Sequence, residues 1–216
     1  MDDQALRQMV SEELTWAPHV DATNITVDVR DGVVRLGGVV GSLAEKHAAE
    51  RTIWHVRGVR GLVEEIEVRV PEALRHGDTE IAQRVRNVLR WDAQIPDARL
   101  RIKVEDGVVT LMGTLDRQYQ RQEAEARVRA LEGVRGVAND IAIRPAAIAP
   151  DIAANVRRAL ARHAELDAGR ITVAVDGASV ALAGTVPSLA ARHAAENAAW
   201  SAAGVAAVEN RLSVAS

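Results

Sequence analysis

Three stretches of this chain repeat one another at fixed spacing, and that regularity constrains the fold more than any other feature. VDVRDGVVRLGG at 27–38, IKVEDGVVTLMG at 102–113 and VAVDGASVALAG at 173–184 align without gaps. The last glycine of each (Gly38, Gly113, Gly184) is followed 20 residues later by a Gly-Val pair, at Gly58, Gly133 and Gly204. Upstream, Leu6 with Val10, Ile81 with Val85, and Ile152 with Val156 open sets of apolar residues at helical spacing. The chain therefore divides into three copies, 1–72, 73–147 and 148–216, joined through PEALRHG (71–77) and PAAIAP (145–150). Both joints are too short to act as free tethers, so the copies are expected to pack on one another.

Each copy reads as helix, hairpin, helix, strand. In the first, Leu6, Met9, Val10 and Leu14 share one helical face. Val27, Val29, Val34 and Leu36 then alternate inward on two strands closed by Asp31-Gly32, a pair suited to a type I′ turn. Asp106-Gly107 repeats that turn, whereas Gly177-Ala178 offers the type II′ solution with Gly177 at the first central position. A Ser42-x-x-Glu45 capping box opens the second helix, which is expected to end at Gly58, Gly133 or Gly204 in a left-handed cap. Ile66 with Val68, Ile141 with Ile143, and Leu212 with Val214 mark a closing strand. The fold class is α+β: three tandem αββαβ units, each with two helices on one face of a three-stranded sheet. Copy three differs on its outward positions, Ala174, Ala181 and Ala183, and on its second helix at Ala195, Ala199 and Ala202. Small apolar residues on a nominally wet surface predict a cover there, from the same chain or from a second molecule in a homo-oligomer.

The pattern Gly-x-Val-x-Leu-x-Gly, carried here by Gly32 to Gly38 and Gly107 to Gly113, followed by an Ala-rich helix and Gly-Val-x-x-apolar, resembles the BON (bacterial OsmY and nodulation) domain family. The whole chain looks like its soluble triple-BON, osmotically inducible, transport-associated type. The resemblance implies a stress-response binding module with no catalysis and no cofactor, associated with anionic phospholipid or a protein partner. The alternative it implies is a cytoplasmic module sensing a small ligand or ion, potassium among them.

The residues themselves add exclusions and candidates. With no cysteine there is neither a disulfide framework nor a thiolate metal site. A net charge of −3, 2% aromatics and no phenylalanine argue against nucleic acid as a partner. No apolar run reaches the roughly 18 residues of a membrane-spanning helix, and the N-terminus lacks a signal-peptide pattern. A cytoplasmic location is therefore expected, with a periplasmic one only if a leader has been removed. No Gly-x-Ser-x-Gly, phosphate loop or His-Glu-x-x-His is present. His47 with Glu50 and His193 with Glu196 occupy matching helical positions and would form a metal site only if their helices converged; no metal is expected. Trp54 and Trp200 also correspond and are expected half-buried against a neighbouring unit. Charge is uneven: 1–72 holds 13 acidic and 8 basic residues, 73–147 holds 11 and 13, and 148–216 holds 6 and 6. The basic middle copy places Arg84, Arg86 and Arg90 beside Trp91, with Arg117 and Arg121 on its second helix. These six residues are the candidate contact with an anionic surface.

Overall fold

The first helix of each repeat forms where apolar residues recur three and four apart: α1 (Asp3–Trp16), α3 (Asp78–Trp91) and α5 (Ile152–Ala161). Each buries one stripe, Leu6, Val10 and Leu14 in α1 and Ile81, Val85 and Leu89 in α3. Met9, expected on that stripe, lies on its flank and is 36% exposed, because Leu6, Val10 and Leu14 already fill the strip that meets the sheet. The computed structural model describes residues 2–145, 151–163 and 166–215. They form two compact units, Met1–Thr114 with Gln120–Ile141, and Leu115–Tyr119 with Ala142–Ser216. The first two repeats thus fall largely within one unit.

Two antiparallel strands follow each first helix: β1 (Ile25–Arg30) with β2 (Val33–Val40), β4 (Leu100–Glu105) with β5 (Val108–Leu115), and β7 (Ile171–Asp176) with β8 (Ser179–Val186). The hairpins turn where the sequence places them. Asp31 and Gly32 have φ of 51° and 75°, and Asp106 and Gly107 have 50° and 76°, the two positive angles of a type I′ turn. In the third hairpin Gly177 is positive at 57° and Ala178 is not, as a type II′ turn requires. The type I′ turns are also gripped from outside. The Asp3 carboxylate accepts the N–H groups of Asp31 and Gly32 at 2.8 and 3.0 Å, and Asp78 accepts those of Asp106 and Gly107 at 3.0 and 2.9 Å.

The second helices, α2 (Leu43–Trp54), α4 (Gln118–Arg129) and α6 (Leu189–Ser201), carry the chain to a last strand, β3 (Gly61–Val68), β6 (Gly136–Ile143) or β9 (Ala207–Val214). Each sheet has its second strand in the centre, in the orders β1-β2-β3, β4-β5-β6 and β7-β8-β9, and the last strand runs parallel to the centre in repeats one and three. Ser42 accepts the N–H of Glu45, as the capping box predicts, while the Glu45 carboxylate reaches past Ser42 to the N–H groups of Gly41 and Asp21. One expectation is corrected: the second helices stop at Trp54, Arg129 and Ser201, three or four residues before Gly58, Gly133 and Gly204. Those glycines do have positive φ, 95°, 85° and 89°, yet they serve the turn into the last strand after the helix has already unwound through short-range bonds such as Val56 N–H to the Ile53 carbonyl. A second correction concerns copy three. Ala195 and Ala199 are fully buried in its core beside Val156, Leu160 and Leu182, so they are packing residues that let α6 sit close and not part of a wet surface.

Gly38, Gly113 and Gly184 are neither turns nor caps. They lie within the central strands opposite Ile25, Leu100 and Ile171, at φ of 115°, 132° and 132°. A Cβ there would stand 2.0–2.2 Å from the carbonyl oxygen of Asn24, Arg99 or Arg170. Backbone crowds into the space a side chain would need. Gly38→Ala should therefore cost at least about 3 kcal/mol in denaturant unfolding, since both the angle and the contact are forbidden to alanine. Gly61→Ala, whose Cβ would touch only the Val33 methyl groups at 3.4 Å or more, should stay within about 1 kcal/mol of the parent.

Candidate functional site

The end of α3 presents an apolar ring and cations to water. Ile81, Val85 and Leu89 anchor the helix in the core, and at 100° per residue Arg86 and Arg90 project together on the far side, with Trp91 on the adjoining flank. Trp91 is 87% exposed, and Arg86 and Arg90 are exposed with no hydrogen bond or ion pair among the described residues. Arg90 stands in the last turn, where a cation complements the helix dipole. Past the helix, the Asp92 carboxylate is 3.3 Å from Arg127 of α4, and Gln120 of α4 donates to the Gln94 carbonyl at 2.9 Å. These bonds brace the loop that follows Trp91.

The other expected site residues are placed differently. Arg84 is half-buried, 2.8 Å from Glu80 and 3.8 Å from Glu132. His76 joins the same clasp, with Nδ1 3.1 Å from Glu80. Burial pushes the Glu80 carboxyl upward, but the hydrogen bonds from Arg84 and His76 outweigh it and hold the group below its ordinary value. Arg121 is half-buried and donates to the Asn139 carbonyl at 2.9 Å, while the Asn139 amide returns a bond to the Arg121 carbonyl at 3.1 Å. This is a structural device shared by all three repeats. Lys46 donates to the Ile66 carbonyl at 2.8 Å, and Arg192 to the carbonyls of Leu212 and Asn210 at 3.0 and 3.1 Å, each tying a second helix to its last strand. Arg117, expected on the second helix, stands just before α4, exposed and already engaged in an interaction of its own.

The histidine–carboxylate pairs are used locally. His47 Nδ1 lies 2.8 Å from Glu50, and Glu196 accepts the Asn210 amide at 2.9 Å. No three or more His, Asp or Glu side chains among the described residues are grouped so as to hold a metal ion. A groove of about 580 Å³ between the first joint and the second hairpin sets Arg69, Arg75 and Arg135 against Glu67, Asp78 and Asp106, a balanced set with no clear preference of charge. Trp54 and Trp200 are half-buried, and Trp200 packs against the core of its own repeat.

Two exposed aromatics, Trp16 and Tyr119, were not singled out from the sequence, and the first has a counterpart at the α3 site. Trp16 ends α1 at 84% exposure and stands ten residues after Leu6, as Trp91 stands ten after Ile81. The repeat alignment carried that signal. Its helix offers Glu12 and Glu13 where α3 offers Asn87 and Val88, and Ser11 and Thr15 where α3 offers Arg86 and Arg90. Repeat three has Arg162 at the position of the tryptophan. Among the described residues, the end of α3 is the only first-helix end at which an exposed tryptophan stands beside two arginines without an ion pair.

Comparison with known proteins agrees with this threefold architecture. The BON domain family matches residues 2–70, 77–145 and 149–216. The chain belongs to the BON domain family. Osmotically-inducible protein Y of Escherichia coli strain K12 is 32% identical over 145 residues, which cover 65% of this chain and 72% of that protein. An uncharacterized protein of Anaplasma centrale is 28% identical over 147 residues, or 67% of this chain and 96% of its own. Among solved structures, the C-terminal domain of CdsD, a structural protein of the type III secretion system of Chlamydia trachomatis, aligns over the full length of both chains at 15% identity with a TM-score of 0.26.

Two outcomes follow from the BON site geometry. Trp16→Ala and Trp91→Ala should each leave stability within about 0.5 kcal/mol of the parent, because neither ring is packed, whereas Trp200→Ala should cost roughly 2–3 kcal/mol by opening the third core. Because the Glu80 carboxyl is lowered on folding, its contribution is complete above the ordinary carboxylate range and disappears as pH falls through its folded value. Thermal melts of the parent and Glu80→Gln should therefore differ at neutral pH and converge in acid.

Proposed function

We propose that this BON protein is a non-enzymatic binding module of an osmotic-stress response that associates with anionic surfaces, phospholipid headgroups foremost, through the end of α3. The observation that carries the reading is the pairing of an 87% exposed Trp91 with Arg86 and Arg90, both free of ion pairs among the described residues. A tryptophan ring is at home at headgroup depth, and each arginine near an anionic leaflet contributes about 1 kcal/mol. Two arginines and one ring give weak, reversible, salt-sensitive attachment. No helix among the described residues is long and apolar enough to cross a membrane, so attachment of this kind lies at the surface. The similarity to an osmotically inducible protein supports the stress-response part of the reading.

Co-sedimentation with phosphatidylglycerol vesicles against phosphatidylcholine vesicles tests it. Binding to the anionic vesicles alone, lost at high salt, is the expected result. Arg86→Glu with Arg90→Glu should abolish it with only a small fall in melting temperature, since Arg90 also complements the dipole of α3, while Arg84→Glu should weaken it less, because Arg84 already faces Glu80 and Glu132. Undiminished binding by the Arg86/Arg90 double variant would refute the assignment.

A further inference from the structure

The three repeats offer an internal comparison of one vulnerable element, the edge strand. β1, β4 and β7 each pair with a central strand on one side only. An open edge invites another strand unless charged side chains guard it. On the outward face, β1 carries Thr26, Asp28 and Arg30, and β4 carries Arg101, Lys103 and Glu105. β7 carries Thr172, Ala174 and Asp176, so the charge at the middle of the strand is gone. Ala174 is exposed, which corrects the expectation that this chain itself covers the copy-three sheet there, and Val175 on the other face is 37% exposed. Its counterpart in repeat one, Val29, is buried at 8%.

We propose that β7 is a self-association edge, pairing antiparallel with β7 of a second copy of this chain about a two-fold axis at Val173. The register follows from the hairpin. In a two-residue loop the closing pair, Asp176 and Ser179, is hydrogen-bonded, so Asp176, Ala174 and Thr172 bond toward β8, and the N–H and C=O groups of Ile171, Val173 and Val175 point to the open edge. Centring the contact on Val173 sets those free groups opposite one another: Val173 against its own copy, and Val175 against Ile171 twice. The half-exposed Val175 is then covered by an apolar partner, and Ala174 meets Thr172 without a clash. Arg170, exposed and next to the strand, falls opposite Asp176, which gives two ion pairs related by symmetry. The same register in repeat two would repeat the outer pairs, Arg99 against Glu105, but would set Lys103 against Arg101 twice at the centre, a repulsion that repeat three lacks.

Sedimentation velocity of the full chain across a concentration series tests this, with circular dichroism confirming that each variant is folded. The parent should show a concentration-dependent dimer. Ala174→Lys, which restores the guard charge of Lys103, and Asp176→Arg, which sets arginines against each other, should each raise the dimer dissociation constant by roughly tenfold or more. Arg170→Asp combined with Asp176→Arg should recover dimerisation, an effect that unfolding could not produce. A parent chain that is monomeric at every concentration, or a dimer indifferent to Asp176→Arg, would overturn the proposal.

Discussion

Everything in each repeat depends on one approach of backbone to backbone. The carbonyl at the end of the short turn before the first strand, that of Asn24, Arg99 or Arg170, occupies the place where the central-strand residue would carry a Cβ. That contact fixes where the first strand begins against the centre, Ile25 opposite Gly38 and its two equivalents. The register in turn sends Val34 and Leu36, Val109 and Leu111, and Val180 and Leu182 into the core, all at 1% exposure or less. A slip of one residue would turn each of those side chains to water. The glycine is therefore a register lock, and the apolar core follows from it.

With the scaffold fixed three times over, the surfaces of the repeats diverge where the scaffold leaves side chains unconstrained. First-helix ends are such places. Trp16 stands beside acidic residues, Trp91 beside Arg86 and Arg90, and Arg162 replaces the ring in the third copy. Edge strands are another, guarded by charge in the first two repeats and not at the centre of the third. Tandem repetition permits such division of labour, because one copy can keep a stability-neutral surface change while another keeps the original surface.

What the sequence made legible was local or periodic. Hairpin turns are written in two adjacent residues, and the apolar alternation follows the strand period, so the turn types at Asp31-Gly32 and Gly177-Ala178 and the buried faces could be read directly. Partners distant in sequence could not. Arg84 and Arg121 look like Arg86 and Arg90 in a string of letters, yet Arg84 reaches Glu132 as well as Glu80 of its own helix, and Arg121 is held by a carbonyl of β6. The strand order rests on a crossover through the second helix, and the helix ends rest on short-range bonds that a downstream glycine does not dictate. Gly38 was visible as a recurring glycine, but its reason lies fourteen residues earlier in the chain, at Asn24.

On the function proposed above, the three scaffolds are equivalent but only the middle first helix meets an anionic surface. Hydrogen–deuterium exchange of the full chain with and without phosphatidylglycerol vesicles addresses this repeat by repeat. Added protection is expected over the end of α3 and the loop that follows it, around Arg86 to Gln94, with no comparable change at the end of α5. Protection spread evenly over all three first helices, or concentrated on α5, would contradict it.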